Sequence, residues 1–147
     1  MAENLRGNQV LSGTWGELWI DGFKVIEFKK VEIKVSANRE DVQIGNSVDS
    51  KMTSLKGEIT VTTNKVFSRY NDILEKFKSG KDVRSQVITK LADPDTVNGQ
   101  QERYSIDNVW WNDLPVFAAE VGAIIEEELT GGFTPSDIVS LDKIKVV

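Results

Sequence analysis

Hydrophobic and polar positions alternate along most of this chain with period two, the spacing of extended strands that bury one face. Thr14 to Ile20 followed by Asp21-Gly22 predicts a tight hairpin turn leading into a long strand, Phe23 to Ala37, with neither proline nor glycine in it. Within that strand the apolar phase changes. Phe23 and Val25 are odd, Ile26 and Phe28 even, and Val31, Ile33, Val35 and Ala37 odd again. Side chains cannot change face without an irregularity, so bulges or bends are expected near Val25-Ile26 and Lys29-Lys30. Fully extended, the strand would reach about 50 Å, whereas a compact domain of this length is only about 40 Å across. It bends sharply or leaves its own domain.

Asn38 to Ser54 is polar, weakly periodic and centred near Gly45. It reads as a long loop, the kind of segment that compact domains keep for a function, with room for a short strand around Val42 to Ile44. Leu55 to Thr63 alternates cleanly, with Ile59 and Val61 on one face and Glu58, Thr60 and Thr62 on the other, making it the antiparallel partner of Val31 to Ala37. One helix is expected from Lys65 to Ser79, because Val66, Tyr70, Ile73 and Phe77 recur at three- and four-residue spacing and Gly80 follows as a stop. Strands are expected at Val83 to Leu91, Glu102 to Trp111 and Gly122 to Thr130, the last ending at Gly131-Gly132, with a short one at Ile144 to Val147.

Composition narrows the chemistry. The 147 residues suit a single domain, 1–147, able to bury a core unaided, and 39% apolar with 28% charged residues is ordinary for a globular protein. The longest nearly apolar run, Val116 to Ile125, is too short to span a bilayer as a helix. The start, MAENLRGNQVLSG, lacks the pattern of a signal peptide, so the expected compartment is the cytoplasm. The chain has no His and no Cys, which removes imidazole and thiolate metal sites and every catalytic arrangement that needs either residue. A net charge of -5 argues against general or sequence-specific nucleic-acid binding. No cofactor is expected.

Remaining candidates have plain readings beside the functional ones. Four Trp residues suggest a sugar platform, yet Trp110 and Trp111 are adjacent on a strand and must point to opposite faces. Trp15 and Trp19 would share a face and cover the helix or sheet. Glu126, Glu127 and Glu128 diverge and read as a solvated edge; Asp93-Pro94-Asp95 reads as a turn. Carbohydrate binding or adhesion by a monomeric β-sandwich is the alternative function.

The order of several short elements resembles the tail tube proteins of PBSX-type prophages and of related contractile R-type bacteriocins. The resemblance rests on Ser12-Gly13 with Gly16-Glu17-Leu18-Trp19-Ile20-Asp21-Gly22, on Lys30-Val31-Glu32 through Asn38, and on Lys56-Gly57 before an alternating strand. It continues in Lys78-Ser79-Gly80 and in Asn98-Gly99 with Glu102-Arg103 before Ile106-Asp107-Asn108-Val109. It implies a mainly β fold, a β-sandwich or small barrel with one flanking helix, whose extended hairpins form an inner β-barrel shared by a hexameric ring. Two hairpins from each of six copies give about twenty-four strands and a barrel roughly 50 Å across.

On that resemblance Glu32, Lys34, Ser36, Glu58, Thr60 and Thr62 would face the lumen, and Val31, Ile33, Val35, Ile59 and Val61 the subunit body. The 38–54 segment, with Val42, Gln43, Ile44, Gly45, Asn46, Ser47 and Val48, and the arm 1–13 would contact the next ring. Implied partners are further copies, sheath, baseplate and tail terminator proteins, and a tape measure protein in the lumen. The implied location is a virion or phage tail-like particle assembled in the host cytoplasm and released by lysis.

Overall fold

The computed structural model describes residues 5–146. Its eight described strands join in one antiparallel sheet with a single short α-helix, so the chain is mainly β as expected. β1 (Gly16–Ile20) turns into β2 (Phe23–Lys24) through Asp21-Gly22, with φ of 52° and 84°, the left-handed pair that an Asp-Gly hairpin turn requires. That turn is held to the neighbouring strand, because Asp21 N donates to Gln86 O (2.8 Å) and Gln86 N donates to Asp21 Oδ1 (2.9 Å).

β3 (Phe28–Ile44) and β4 (Ser47–Asn64) form one hairpin of 17 and 18 residues, roughly 55–60 Å long. α1 (Asn71–Lys78) follows, then β5 (Arg84–Leu91), β6 (Glu102–Asp113), β7 (Glu126–Phe133) and β8 (Ile138–Asp142). The strands lie in the order β2-β1-β5-β6-β7-β4-β3, with β8 on the outer side of the first half of β6. The sheet curls until the β1 side approaches β3 at the other end: a Cβ on Gly16 would sit 3.6 Å from the Phe28 ring. Leu18, Ile59, Val61, Val87, Ile106, Val109, Leu129 and Phe133 fill the interior of the curl.

The expected change of phase is present. Phe28 pairs with Thr63 and Lys30 with Thr62, so Lys29 is the extra residue of a bulge, while Val25 is buried and Ile26 exposed in the bend between β2 and β3. A second bulge, at Asn108 with φ 56°, brings both Ile106 and Val109 to the core although they are three apart.

Several expectations are corrected. The 38–54 segment is not a loop but the outer half of the β3–β4 hairpin, closed by a two-residue turn at Gly45-Asn46 with Gly45 at φ 58°. Its periodicity is weak because neither face is buried: every residue from Val35 to Lys56 is exposed. The helix covers only the second half of 65–79. Lys65 N is taken by Ile125 O (2.9 Å), and the Arg69 guanidinium is pulled into a two-pronged ion pair with Glu27 (2.7 and 3.0 Å), so this stretch runs irregularly and leaves Val66 and Phe67 exposed. Gly80, at φ 81°, does end the helix.

β7 starts four residues later than expected and runs through Gly131-Gly132 instead of stopping there. The final strand is Ile138–Asp142, not 144–147, and Val147 lies outside the described residues, as do residues 1–4 of the arm. Trp15 sits half-exposed in a 3-10 turn rather than on a hairpin face with Trp19. Glu127 is not solvated: its side chain is 5% exposed and pairs with Lys65 at 3.2 Å, while Glu126 pairs with Lys29.

Candidate assembly surface

Alternation across the β3–β4 register sorts the named residues into two sets. Val31 is paired with Val61 and Ile33 with Ile59; Ile59 and Val61 are fully buried, and Val31 and Ile33 pack partly against them. Between those pairs, Glu32 is opposite Thr60, Lys34 opposite Glu58 and Ser36 opposite Lys56, all on the other face. Val35 departs from its set, being 46% exposed, because its partner is Gly57, which has no side chain to cover it.

Register carries both faces further than sequence patterns indicate. On the polar face Thr60 is opposite Thr130 and Thr62 opposite Glu128; the Thr130 hydroxyl donates to Asp113 Oδ2 (3.0 Å). Trp110 lies over Gly132 and carries the Arg84 guanidinium 5.1 Å from its ring. On the core face Trp111 is opposite Gly131 and donates its indole N–H to Ser85 Oγ (3.0 Å). The two tryptophans therefore do point apart, and the buried one is not available to a sugar. Sequence patterns do not indicate Asp113 and Arg84 because their places depend on two bulges in β6, at Asn108 and at Asn112, while Glu128 and Thr130 join the face through an unbroken β4–β7 register that only the pairing reveals.

Polar-face charges are mixed: Lys34 and Lys56 both approach Glu58 at 3.6 Å, and Lys30 approaches Glu32 at 3.9 Å. Each is more than two-fifths exposed, so these pairs add little stability and mainly balance charge.

The hairpin outgrows its support. β7 reaches β4 only from Gly57 to Asn64, so Ser36 to Ile44 and Ser47 to Lys56 pair with each other alone, projecting roughly 30 Å. A free two-stranded ribbon is marginal in water. Its internal ties are few: Asn38 Nδ2 donates to Ser54 Oγ (2.8 Å), and Thr53, the extra residue of a further bulge, donates its hydroxyl to Asn38 O (3.1 Å). Val42, Ile44, Val48, Met52 and Leu55 stand exposed along it. The outer edge of β3 is also unpaired among the described residues. Edges of this length invite pairing with further strands unless they are blunted.

Such a chain is a structural subunit, a β body with a long bare ribbon to lend. Residues 3–141 match the family model described as phage tail tube protein, and the chain belongs to that family. No curated protein matches it.

Among solved structures the chain is similar to one in the cap that terminates the tube of the anti-feeding prophage. There the TM-score is 0.67 at 13% identity, covering 97% of this chain and 98% of that one. It is also similar to a chain of the PVC extracellular contractile injection system in its extended sheath-tube complex, with TM-score 0.64, 14% identity and coverage of 95% and 100%. A chain of the anti-feeding prophage baseplate aligns with TM-score 0.65 at 8% identity, covering 89% and 93%. At these identities the likeness is one of fold.

Proposed function

We propose that this tail tube protein forms hexameric rings that stack into a hollow conduit inside a contractile tail or tail-like particle. The observation that carries the reading is the unsupported half of the β3–β4 hairpin, whose outer edges have no strand partner among the described residues and are open to pairing with other copies. Glu32, Lys34, Ser36, Glu58, Thr60 and Thr62, continued by Thr130 and Glu128, line the lumen. Val31, Ile33, Val35, Ile59 and Val61 back that wall. A wall of threonines and balanced charges stays hydrated and gives passing cargo little to adhere to.

The hairpin tip, Val42 to Val48, and the N-terminal arm contact the next ring. Sheath, baseplate and terminator proteins surround and close the tube, and a tape measure protein occupies it during assembly. The particle forms in the host cytoplasm. The role asks for shape and self-association, not catalysis. A monomeric sugar-binding module is not favoured: Trp111 is buried and Trp110 is covered by Arg84 and packed on Gly132.

Negative-stain micrographs of the purified protein test the reading. Rings or tubes of uniform bore, with mass in the pellet rising with concentration, are expected; a protein that stays monomeric at high concentration would refute it.

A further inference from the structure

The chain between Asn64 and Tyr70 takes a path that its own residues argue against. Asn64 is a cap-type residue standing directly before the stripe Val66, Phe67, Tyr70, Ile73 and Phe77, a pattern that calls for a helix from 65 onward. In the structure 65–70 is a run of bends and turns, and α1 begins only after Tyr70, whose side chain makes no capping bond. Val66 is left 63% exposed and Phe67 48%.

The backbone does not enforce this path. Asn64 N donates to Glu27 O (3.0 Å) and Lys65 N to Ile125 O (2.9 Å). A helix entered at Asn64 keeps both bonds, because the N–H groups of its cap and first turn have no partner inside it. What it breaks is a side-chain contact. Neighbouring helical residues stand about 100° apart, so Arg69 would swing away from the side on which Tyr70 is buried. Here Arg69 instead reaches in beside Tyr70 and donates twice to Glu27 (2.7 and 3.0 Å), whose side chain is only 4% exposed. A second pair, Lys65 with the buried Glu127 at 3.2 Å, lies close by, and both carboxylates act on the Tyr70 phenol. Losing one member of such a pair strands the other in the interior, which makes the hold close to all-or-none.

Beside the segment is a cleft of about 860 Å³, lined among others by Ile20, Phe23, Phe67, Tyr70 and Ile73. Phe67 has room to turn inward.

We infer that 65–70 is a two-state strap, latched in its irregular form by Glu27–Arg69 with Lys65–Glu127 beside it. Release of the latch extends α1 back to Asn64 and turns Val66 and Phe67 from the surface toward the cleft. Two buried carboxylates thereby control whether an apolar surface is shown. The inference rests on the single subunit and needs nothing from the tube reading.

Two full-length variants unlatch the strap. Glu27→Gln/Arg69→Gln removes the inner pair from both sides and leaves no lone buried charge, while Glu27→Gln/Glu127→Gln replaces both carboxylates by amides of nearly the same shape. In the monomer each should show helical Cα chemical shifts over 65–70, and a far-ultraviolet helix signal larger by about six residues than that of the 8-residue α1. Because the chain has no cysteine, Val66→Cys supplies a single thiol, whose labelling should slow about tenfold or more in either unlatched background. Glu17→Gln, which removes surface pairs with Lys24 and Lys90, is the control and should change neither reading.

Unchanged shifts with a thiol that labels as fast as before overturn the inference. So does a segment that becomes disordered, the result expected if the pairs merely pin a loop. If one variant fails to fold, its near-ultraviolet circular dichroism reveals it and the other variant decides. Loss of the native signal in both also overturns the inference, because a strap that changes state must leave the core standing.

Discussion

At the scale of single residues, three glycines decide whether the sheet can close. A Cβ on Gly131 would lie 2.1 Å from the Trp110 carbonyl oxygen, and one on Gly132 would lie 2.7 Å from the Trp110 ring. On Gly57 it would strike the Phe133 ring at 2.6 Å. In each case an aromatic covers a bare stretch of backbone on an adjacent strand. Backbone cannot yield as a flexible side chain can, so Gly131→Ala should be the harshest of the three alanine replacements. A loss of about 1–3 kcal/mol, read by urea unfolding of the monomer, is the scale of such overpacking.

Tyr70 gives a second residue-scale prediction. Burial raises its phenol above the usual value, helped by the carboxylates of Glu127 and Glu27 and opposed by Thr63 and Arg69. Among the described residues its buried hydroxyl meets no partner in normal hydrogen-bond geometry, although Thr63 lies beside it. The folded state thus holds its proton more tightly than the unfolded chain. That advantage is complete below about pH 10 and is lost as pH rises from there through the folded value. Tyr70→Phe should flatten this alkaline loss in a stability-against-pH series. At neutral pH it should cost little, since it removes a polar group that was not paired.

Elements show which signals the sequence carries and which it hides. The Lys29 bulge was legible because apolar residues lie on both sides of it, and the change from Phe28 to Val31 records the change of face. Between Asn38 and Ser54 no face is buried, so no pattern of burial marks the strands and the stretch resembles a loop. The pattern places the helix start six residues too early for a different reason: Val66 and Phe67 continue the apolar stripe of Tyr70, Ile73 and Phe77, but ion pairs to Glu27 and Glu127 hold the chain out of helical geometry. Those partners lie about forty and sixty residues away, beyond any local pattern. Gly131-Gly132 read as a terminator, whereas they are spaces beneath two tryptophans.

The alternation in β3 and β4 yields a test at the same scale. Ile33→Asp sets a carboxylate against Ile59 and should abolish assembly and lower the monomer's thermal midpoint. Glu32→Ala, on the exposed face, should do neither. Intact assembly in the first and failure in the second would reverse the two faces.

For the whole molecule, the body and the projecting ribbon have separate sources of stability. The core is enclosed by the curled sheet up to Gly57; past that point the ribbon is held by its own hydrogen bonds and a few side-chain contacts. Removing Val42 to Ser50 should therefore leave a subunit with unchanged near-ultraviolet circular dichroism and melting. It should shorten or eliminate tubes in micrographs. Undiminished tube length would dissociate the tip from stacking.

The bare ribbon also bears on how spare subunits are cleared. A protease needs an extended stretch it can peel from its surroundings, and Arg39, Lys51 and Lys56 lie on such a stretch in the free subunit. Once neighbouring copies cover both its margins, the same bonds are out of reach. Trypsin should nick unincorporated chains there within minutes and spare finished particles, so on the proposed assembly the feature that recruits each new copy would also mark those left over for destruction.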